Sequence, residues 1–255
     1  MLTGSSQLIW ITGAGSGIGR ATALELARLG HSVVVSGRRL EPLQDLVKDA
    51  RHFPGQLLPL TLDVTEPQSV HDAFSTLCAR WGVPDAAILC AGNHQPMPVD
   101  QFSLERCQAL IDVNYLGMMR LVERLLPAFR SRGCGTMVLV ASVAGYRGLP
   151  TAAAYGGSKA AVINAAEALR CELEGSDIHI KLVNPGFVRT PLTDRNEFKM
   201  PFLIEPEEAA RSIVKGMQRP GFEIAFPWRF ALIMKMLRLL PYGLYFRLIK
   251  RKTGL

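Results

Sequence analysis

The chain has 255 residues, of which 48% are hydrophobic and 20% charged, and its net charge is +7. This length suits one large domain, and this composition excludes a disordered chain. The cysteines at positions 78, 90, 107, 134 and 171 are odd in number and form no C-x-x-C pair. Neither a disulfide framework nor a zinc site is predicted, and we expect a reducing, cytoplasmic environment. The first apolar run is short and leads straight into glycines, which predicts no signal peptide.

The positive charge is concentrated at the C-terminal end of the chain. Residues 222–255 contain seven basic residues and one acidic residue, so they carry +6 of the total charge. The remainder is therefore nearly neutral, which argues against a general nucleic-acid-binding surface. A basic tail of this kind indicates a partner of its own.

Predicted strands and helices alternate along the first 226 residues. Strands are predicted at 7–12, 31–37, 56–62, 85–89, 136–142, 178–184 and 222–226. Predicted helices include one that follows the first strand and ends at 29, and others at 66–81, at 104–130 in two parts, and at 153–173. This alternation predicts an α/β fold, a Rossmann-like doubly wound parallel sheet of about seven strands with helices on both faces. We expect residues 1–226 to form one domain and residues 227–255 a helical extension of it.

The first predicted strand runs into a glycine-rich segment, Thr12-Gly13-Ala14-Gly15-Ser16-Gly17-Ile18-Gly19. Glycines allow the backbone to approach a pyrophosphate closely, and the helix that follows offers free N–H groups at its N-terminus. The pattern is T-G-x-x-x-G-x-G rather than G-x-G-x-x-G, because the sixth position from Gly13 is Ile18. Between a strand and a helix, this segment predicts a turn that binds a dinucleotide.

The second predicted strand ends at Gly37 and is followed by Arg38 and Arg39. An acidic residue about 20 positions past the glycines would bind a ribose 2′-hydroxyl, but no carboxylate is found here. A guanidinium group suits a 2′-phosphate instead, so NADP(H) is predicted as the cofactor over NAD(H). The alternative is a pair of solvated arginines at the start of a helix.

Tyr155 and Lys159 lie four residues apart in the predicted helix 153–173, so their side chains share one face. A free tyrosine has a pKa of roughly 10 and is a poor acid–base catalyst near neutrality. A nearby cation favours the phenolate and lowers that pKa. Ser142, at the end of the fifth predicted strand, can hydrogen-bond the oxygen on which charge develops during hydride transfer. By itself the spacing also fits a tyrosine anchor beside a solvated lysine.

Together these features resemble the short-chain dehydrogenase/reductases, and more narrowly their single-domain branch of about 250 residues. The matching motifs occur in order between roughly residues 5 and 220: the glycine turn, Asp63, Ala91-Gly92, Asn114, Ser142, Tyr155-x-x-x-Lys159 and Pro185-Gly186. The resemblance implies hydride transfer between a nicotinamide cofactor and a carbonyl group or a secondary alcohol. The family often has asparagine at the position of Cys90, so this departure puts a structural hydrogen bond in doubt but no catalytic group.

The resemblance also implies a role for individual residues. Tyr155 is expected to be the general acid, and Lys159 to lower its pKa and bind the nicotinamide ribose. Ser142 is expected to polarise the carbonyl, and Asn114 to hold a water that relays protons. Asp63 and Val64 would contact adenine, and Thr190 the carboxamide. The full set of expected cofactor-binding residues is Gly13, Gly15, Ser16, Gly17, Ile18, Gly19, Arg38, Arg39, Asp63, Val64, Ala91, Gly92, Tyr155, Lys159, Pro185, Gly186, Val188 and Thr190.

The segment 192–203 is predicted to be a short lid over the substrate. It contains Phe198, Met200, Pro201 and Phe202. This composition favours a hydrophobic substrate such as a keto-lipid, a keto-acyl chain or a sterol-like molecule, although lids also use apolar residues to exclude water. Two alternatives are a soluble enzyme for a small metabolite or sugar, and a non-catalytic module that senses a dinucleotide.

The tail, residues 227–255, mixes aromatic, aliphatic and basic side chains. Neither 227–240 nor 241–250 reaches the ~20 uninterrupted apolar residues that span a bilayer. Arg247, Lys250 and Arg251 share one predicted helical face, which is typical of an interfacial helix on an anionic membrane. We favour that interpretation over a helix that covers the subunit's own core or forms a homo-oligomer interface. The expected location is the cytoplasm, with peripheral binding to the inner face of a membrane.

Overall fold

The computed structural model describes residues 6–196, 198 and 200–253, and these contain one parallel sheet. Its strands lie in the order β3-β2-β1-β4-β5-β6-β7, and every neighbouring pair is parallel. The predicted fold class is therefore confirmed. The strands are β1 (Leu8–Thr12), β2 (Ser32–Gly37), β3 (Gln56–Thr61), β4 (Ala86–Leu89), β5 (Cys134–Val140), β6 (Asp177–Pro185) and β7 (Glu223–Phe226).

Helices cover both faces of this sheet. Helices α1, α2 and α7 bury their apolar residues on one face, and α3, α5, α6 and α8 on the other. Right-handed crossovers between parallel strands require such connecting helices. The bounds are α1 (Gly17–Arg28), α2 (Leu40–Asp49), α3 (Pro67–Trp81), α4 (Leu104–Ile111), α5 (Gly117–Arg132), α6 (Ala153–Glu172), α7 (Pro206–Gln218), α8 (Trp228–Leu239) and α9 (Tyr242–Thr253).

Strand β1 shows why the central strands read as continuous apolar runs. Side chains alternate between the faces of a strand, so Trp10 joins one core while Ile9 and Ile11 join the other. All three residues are fully buried. The indole Nε1 of Trp10 donates a hydrogen bond of 2.9 Å to the Ser36 hydroxyl on β2, which satisfies its only polar group.

The predicted long helix at 104–130 is interrupted, as the sequence suggested. α4 and α5 are joined by a turn of π-helix at Asp112–Leu116, which contains the buried Asn114. Such turns insert a residue into a helix and often occur at functional sites. Strand β5 begins and ends two residues earlier than predicted, so Ser142 follows the strand rather than ending it.

The C-terminal helices pack on the rest of the chain. Phe230, Ala231 and Met234 on one side of α8 belong to the same apolar core as α3, α5 and α6. On α9, Tyr245 is buried. Among the helices that the structure describes, none combines the length and the apolar character needed to cross a bilayer.

Candidate active site

Nearly all of the predicted site residues line one cleft with a volume of about 1350 Å³. The cleft lies at the carboxyl ends of β1, β2, β4, β5 and β6, which is where open parallel sheets bind ligands. Of the predicted residues, Asn114 alone does not line it and is instead fully buried behind the cleft wall. The fold therefore brings together side chains that are up to about 180 positions apart in the sequence.

The glycine turn leaves no room for side chains on its inner surface. Gly13 has a φ of +72°, and a Cβ there would lie 2.8 Å from the Cα of Ala91. Gly17 has a φ of +54°, and a Cβ there would lie 2.9 Å from Cγ2 of Thr190. The first turn of α1 carries no acidic side chain. Exposed backbone N–H groups at a helix start that lacks acidic side chains fit the pyrophosphate of a dinucleotide.

Thr12 holds the end of β4 against the glycine turn, a role that the sequence did not reveal. Its hydroxyl oxygen accepts hydrogen bonds of 3.2 Å from the backbone N–H groups of both Cys90 and Ala91. Burial raises the pKa of the Cys90 thiol to about 11, against the opposing effects of the Lys159 charge and a backbone hydrogen bond from Gly19. The thiol is therefore protonated at neutral pH and acts as a small buried side chain.

The far end of the cleft combines two arginines with one carboxylate. Arg38 and Arg39 follow β2, line the cleft and are exposed. Within the described part of the chain, neither guanidinium group makes a hydrogen bond or an ion pair. The carboxylate of Asp63 is held at the wall, because its Oδ1 accepts hydrogen bonds of 3.0 Å and 2.7 Å from the amide and the hydroxyl of Thr65. Two guanidinium groups without a partner among the described residues can therefore bind an anionic group on a dinucleotide in the cleft.

Tyr155 lies in the first turn of α6, facing Ser142 in the loop after β5. Burial raises the pKa of the Tyr155 phenol, and a hydrogen bond with Ser142 opposes that shift. Burial is the largest cause of this shift, and the expected lowering of the Tyr155 pKa by Lys159 stays a prediction. Burial lowers the pKa of Lys159 to about 8, so the ammonium group loses its proton before the phenol titrates. At neutral pH Tyr155 is protonated, which is the form that can donate a proton.

Lys159 is buried on the same face of α6, one turn beyond Tyr155. Its Nζ donates a hydrogen bond of 2.9 Å to the carbonyl oxygen of Val140 at the end of β5. A Cβ on Gly92 would lie 3.0 Å from Oδ1 of Asn114 and 3.5 Å from this nitrogen, so the glycine allows the loop after β4 to pack closely against both side chains. The ammonium group is thus fixed at the strand ends by its backbone partner.

Asn114 links the helix break to the cleft wall. Its Oδ1 accepts a hydrogen bond of 2.7 Å from the Asn93 amide, and its Nδ2 donates to the Asn93 carbonyl and to the Ser158 hydroxyl, each at 2.9 Å. Ser158 in turn donates a hydrogen bond of 2.7 Å to the Tyr155 carbonyl. The Asn114 side chain therefore positions the helix that carries Tyr155, and its role toward a relay water stays a prediction. Ser158 occupies an unspecified position of the Tyr155-x-x-x-Lys159 motif and Asn93 follows Ala91-Gly92, and the sequence assigned no role to either residue.

The predicted lid contacts the loop after β4 directly above Tyr155. The His94 ring lies edge-on to the Tyr155 ring with 4.5 Å between centroids, and its Nε2 lies 3.1 Å from Oδ1 of Asn196. Arg195 donates hydrogen bonds of 2.9 Å to Asn93 Oδ1 and 2.6 Å to the His94 carbonyl. Burial lowers the pKa of His94, which keeps the ring neutral. Positions 197 and 199 of the predicted lid lie outside the described residues.

Aromatic side chains from three segments pack against one another, and Phe187, Phe198 and Phe230 among them line the cleft. Phe187 stacks on Phe230 with 5.4 Å between ring centroids, and Phe202 stacks on Phe230 at 5.9 Å. Phe198 contacts Phe187 edge-on at 5.7 Å. Phe230 and Met234 of α8 both line the cleft. Sequence reasoning placed neither Phe230 nor Met234 in the site, because no motif links the tail to the segments that contain Phe187, Phe198 and Phe202.

The chain is similar to a known protein family, to individual members of it and to solved structures. The family model for short chain dehydrogenases matches residues 7–200. An uncharacterized oxidoreductase from Myxococcus xanthus is 37% identical over 92% of this chain and 93% of its own length. The 3-oxoacyl-[acyl-carrier-protein] reductase FabG of Thermotoga maritima is 34% identical over 72% of this chain and 75% of its own. The crystal structure of an actinorhodin polyketide ketoreductase with NADPH superposes with a TM-score of 0.78, at 27% identity, and covers 89% of this chain and 97% of that one.

The fold, the family model and the similar proteins together define an oxidoreductase with a fold that binds a nicotinamide dinucleotide. The match of the family model to residues 7–200, which is most of the chain, narrows this class to one family. The chain belongs to the short-chain dehydrogenase/reductase family, as the resemblance of its motifs indicated.

Proposed function

We propose that this protein transfers hydride between NADP(H) and a carbonyl group or secondary alcohol on a hydrophobic substrate. The observation that carries this proposal is the convergence of Ser142, Tyr155 and Lys159 on one cleft that also contains the glycine turn. A module that only sensed a dinucleotide would not need a serine, a protonated tyrosine and a buried lysine at the position of the substrate.

The chemistry divides between the cofactor and the chain. A nicotinamide dinucleotide bound in the cleft supplies or accepts the hydride. In carbonyl reduction, Ser142 hydrogen-bonds the carbonyl oxygen and Tyr155 donates its phenolic proton to that oxygen, which yields the alcohol. Lys159 holds a positive charge near the resulting phenolate. Asn114 is proposed to hold a water that relays protons to Lys159, so that the phenolate regains its proton. In alcohol oxidation, the same residues carry the proton in the opposite direction.

The preference for NADP(H) rests on Arg38 and Arg39, which line the cleft without ion-pair partners among the described residues. A charge-assisted hydrogen bond to a 2′-phosphate contributes roughly 1.5–3 kcal/mol, which corresponds to about ten- to hundredfold in affinity. NADPH should therefore bind that much more tightly than NADH, and Arg38→Asp should reverse the preference. Cofactor fluorescence titration measures both constants, with Arg51→Asp, an exposed arginine outside the cleft, as the matched control. Equal dissociation constants in the unmodified protein would contradict this preference.

The hydrophobic substrate class rests on three aromatic side chains that line the cleft, Phe187, Phe198 and Phe230. The names of two similar proteins support this substrate class. One is a 3-oxoacyl-[acyl-carrier-protein] reductase and the other is a polyketide ketoreductase. In a series of 3-oxoacyl thioesters, kcat/KM with NADPH should rise with acyl length, since each buried methylene contributes about 0.8 kcal/mol. Phe230→Ala should flatten that dependence. Faster turnover of small sugars or metabolites would favour the alternative substrate class.

The cellular location and the partners of the protein are inferred from its cysteines and its charge. We infer a cytoplasmic protein, because its cysteines form no disulfide framework in the sequence. Nucleic acid is not an expected partner, since most of the chain is nearly neutral. Homo-oligomer formation is an alternative use of the tail, and flotation with lipid vesicles beside light scattering distinguishes the two.

A further inference from the structure

Helix α8 is apolar on two opposite sides, and only one of them is covered. Phe230, Ala231 and Met234 face the core. The outward residues Trp228 and Leu239 are 66% and 83% exposed, respectively. Between them, Leu232, Ile233 and Met236 are also exposed and recur at helical spacing, so the outward side is a continuous stripe. Contiguous exposed apolar surface of this kind marks an interaction site in a folded protein.

Helix α9 extends this surface and adds its charge. Leu244, Phe246 and Leu248 are exposed, and Arg247, Lys250 and Arg251 are exposed beside them. The acidic residue of the tail region, Glu223, is not available to neutralise them. Its carboxylate accepts hydrogen bonds from Tyr146 and Asn184 and pairs with Lys235 of α8. The exposed side of α8 and α9, here called the tail face, is therefore apolar and basic.

The tail face is held in a fixed orientation to the cleft. The Arg147 guanidinium donates hydrogen bonds of 3.0 Å and 2.7 Å to the carbonyl oxygens of Arg238 and Leu240, where α8 ends. The same group lies 4.0 Å from the ring centroid of Tyr245, whose hydroxyl donates to the carbonyl of Gly148. Arg147 and Gly148 belong to the loop that follows Ser142. The segment that carries the catalytic serine thus also positions both C-terminal helices.

We propose that the tail face docks on the surface of an anionic lipid bilayer. Exposed aromatic and aliphatic side chains fit the acyl boundary, and the basic side chains between them fit lipid phosphates. A second copy is the less favourable occupant, because a twofold interface would bring two basic tail faces together and residues 227–255 contain no acidic residue to pair with the basic ones. Charge complementarity therefore selects the bilayer.

Docking would place the cleft next to the lipid. Phe230 and Met234 line the cleft from the inner side of α8, and Lys252 lines it from the end of α9. The helix that contacts the bilayer on one side would thus form the substrate wall on the other. This consequence, entry of an apolar substrate from the leaflet, rests on the proposed function, whereas docking itself does not.

Flotation of the full-length protein with lipid vesicles tests docking without any substrate. Vesicles of phosphatidylcholine with phosphatidylglycerol should float the protein at low salt, and vesicles of phosphatidylcholine alone should float less. Arg247→Gln/Lys250→Gln/Arg251→Gln should lower the partition coefficient by about 10²-fold, as high salt does, because each basic side chain contributes several-fold in binding. Leu239→Ser/Phe246→Ser should weaken binding to both vesicle types at any salt, since apolar burial is not screened.

A matched triple variant controls for net charge. Arg211→Gln/Lys215→Gln/Arg219→Gln removes three exposed basic side chains on or next to α7, which packs on the opposite face of the sheet. This variant should float like the unmodified protein. Cofactor titration and circular dichroism on each variant confirm folding and report on the nucleotide site separately. No flotation at low salt, or equal loss in the two triple variants, would overturn the proposal. A dimer in light scattering that the tail variants dissociate, without flotation, would instead assign the tail face to a second copy.

Discussion

Replacement of Glu223 by alanine should destabilise the fold far more than an ordinary surface mutation. Glu223 begins β7, and its carboxylate connects three elements. Oε1 accepts hydrogen bonds from the Tyr146 hydroxyl and, at 2.7 Å, from Nδ2 of Asn184, while Oε2 pairs with Lys235 of α8. Burial alone would raise the pKa of Glu223, but these partners lower it, so the carboxylate is charged at neutral pH.

The magnitude follows from the two buried donors that the substitution leaves without an acceptor. Asn184 is 0% exposed and Tyr146 is 8% exposed, so water does not readily replace the lost carboxylate. A buried donor without a partner costs about 1–3 kcal/mol, and the half-exposed ion pair with Lys235 adds less than about 1 kcal/mol. Glu223→Ala should therefore lower the free energy of unfolding by about 4 kcal/mol. For a chain of this length that corresponds to a fall in Tm of about 10 °C.

Urea unfolding followed by circular dichroism measures this loss, and Glu174→Ala is the matched control. Glu174 also pairs with a basic residue, Arg170, but its side chain is 72% exposed, so its removal should cost less than about 1 kcal/mol. Folding lowers the pKa of Glu223, so its contribution is present above pH 4.5 and is lost as pH falls through the folded pKa. Equal losses for the two variants, or a Glu223→Ala deficit unchanged in acid, would show that this network does not anchor α8.

Two further predictions concern the reacting groups. Tyr155→Phe should lower turnover by roughly 10²-fold or more while NADPH binding is largely retained, because only the transferable proton is removed; near wild-type rates on a confirmed substrate would contradict the mechanism. Burial lowers the pKa of Lys159 from 10.5 to about 8, so the folded chain loses this proton before the unfolded chain does. Stability relative to Lys159→Met should therefore rise as pH increases from about 8 toward 10.5, and a difference that is constant in urea titrations across this range would contradict the assignment.

The sequence predicted the parts of the molecule that depend on local pattern. Strand–helix alternation predicted the sheet, and helical spacing placed Tyr155 and Lys159 on one face of α6. The sign of the Tyr155 pKa shift could not be predicted, because burial decides it and burial depends on the completed cleft. The contacts of Thr12 and Ser158 were missed for a similar reason. Ordinary hydroxyl residues acquire roles there only when strand ends and helix turns meet in three dimensions.

The tail shows the same division between local pattern and tertiary contact. Its charge and apolar character were evident, but its contribution to the cleft through Phe230 and Met234 was not. The sequence near Arg147 does not indicate that its side chain binds the carbonyl groups at the end of α8. These hydrogen bonds join residues about ninety positions apart. Long-range contacts of this kind follow from how the helices pack on the sheet, and a single sequence carries little information about them.

Hydride transfer itself is tested most directly with deuterated cofactor. NADPH that carries deuterium at the transferable position of its nicotinamide is incubated with the enzyme and a long-chain 3-oxoacyl thioester, and the product is analysed by mass spectrometry. One deuterium should appear on the carbinol carbon, in step with the loss of NADPH absorbance, and the same reaction with Tyr155→Phe should yield almost none. Consumption of cofactor without deuterium in the alcohol, or equal product from the Tyr155→Phe variant, would contradict the proposed reaction.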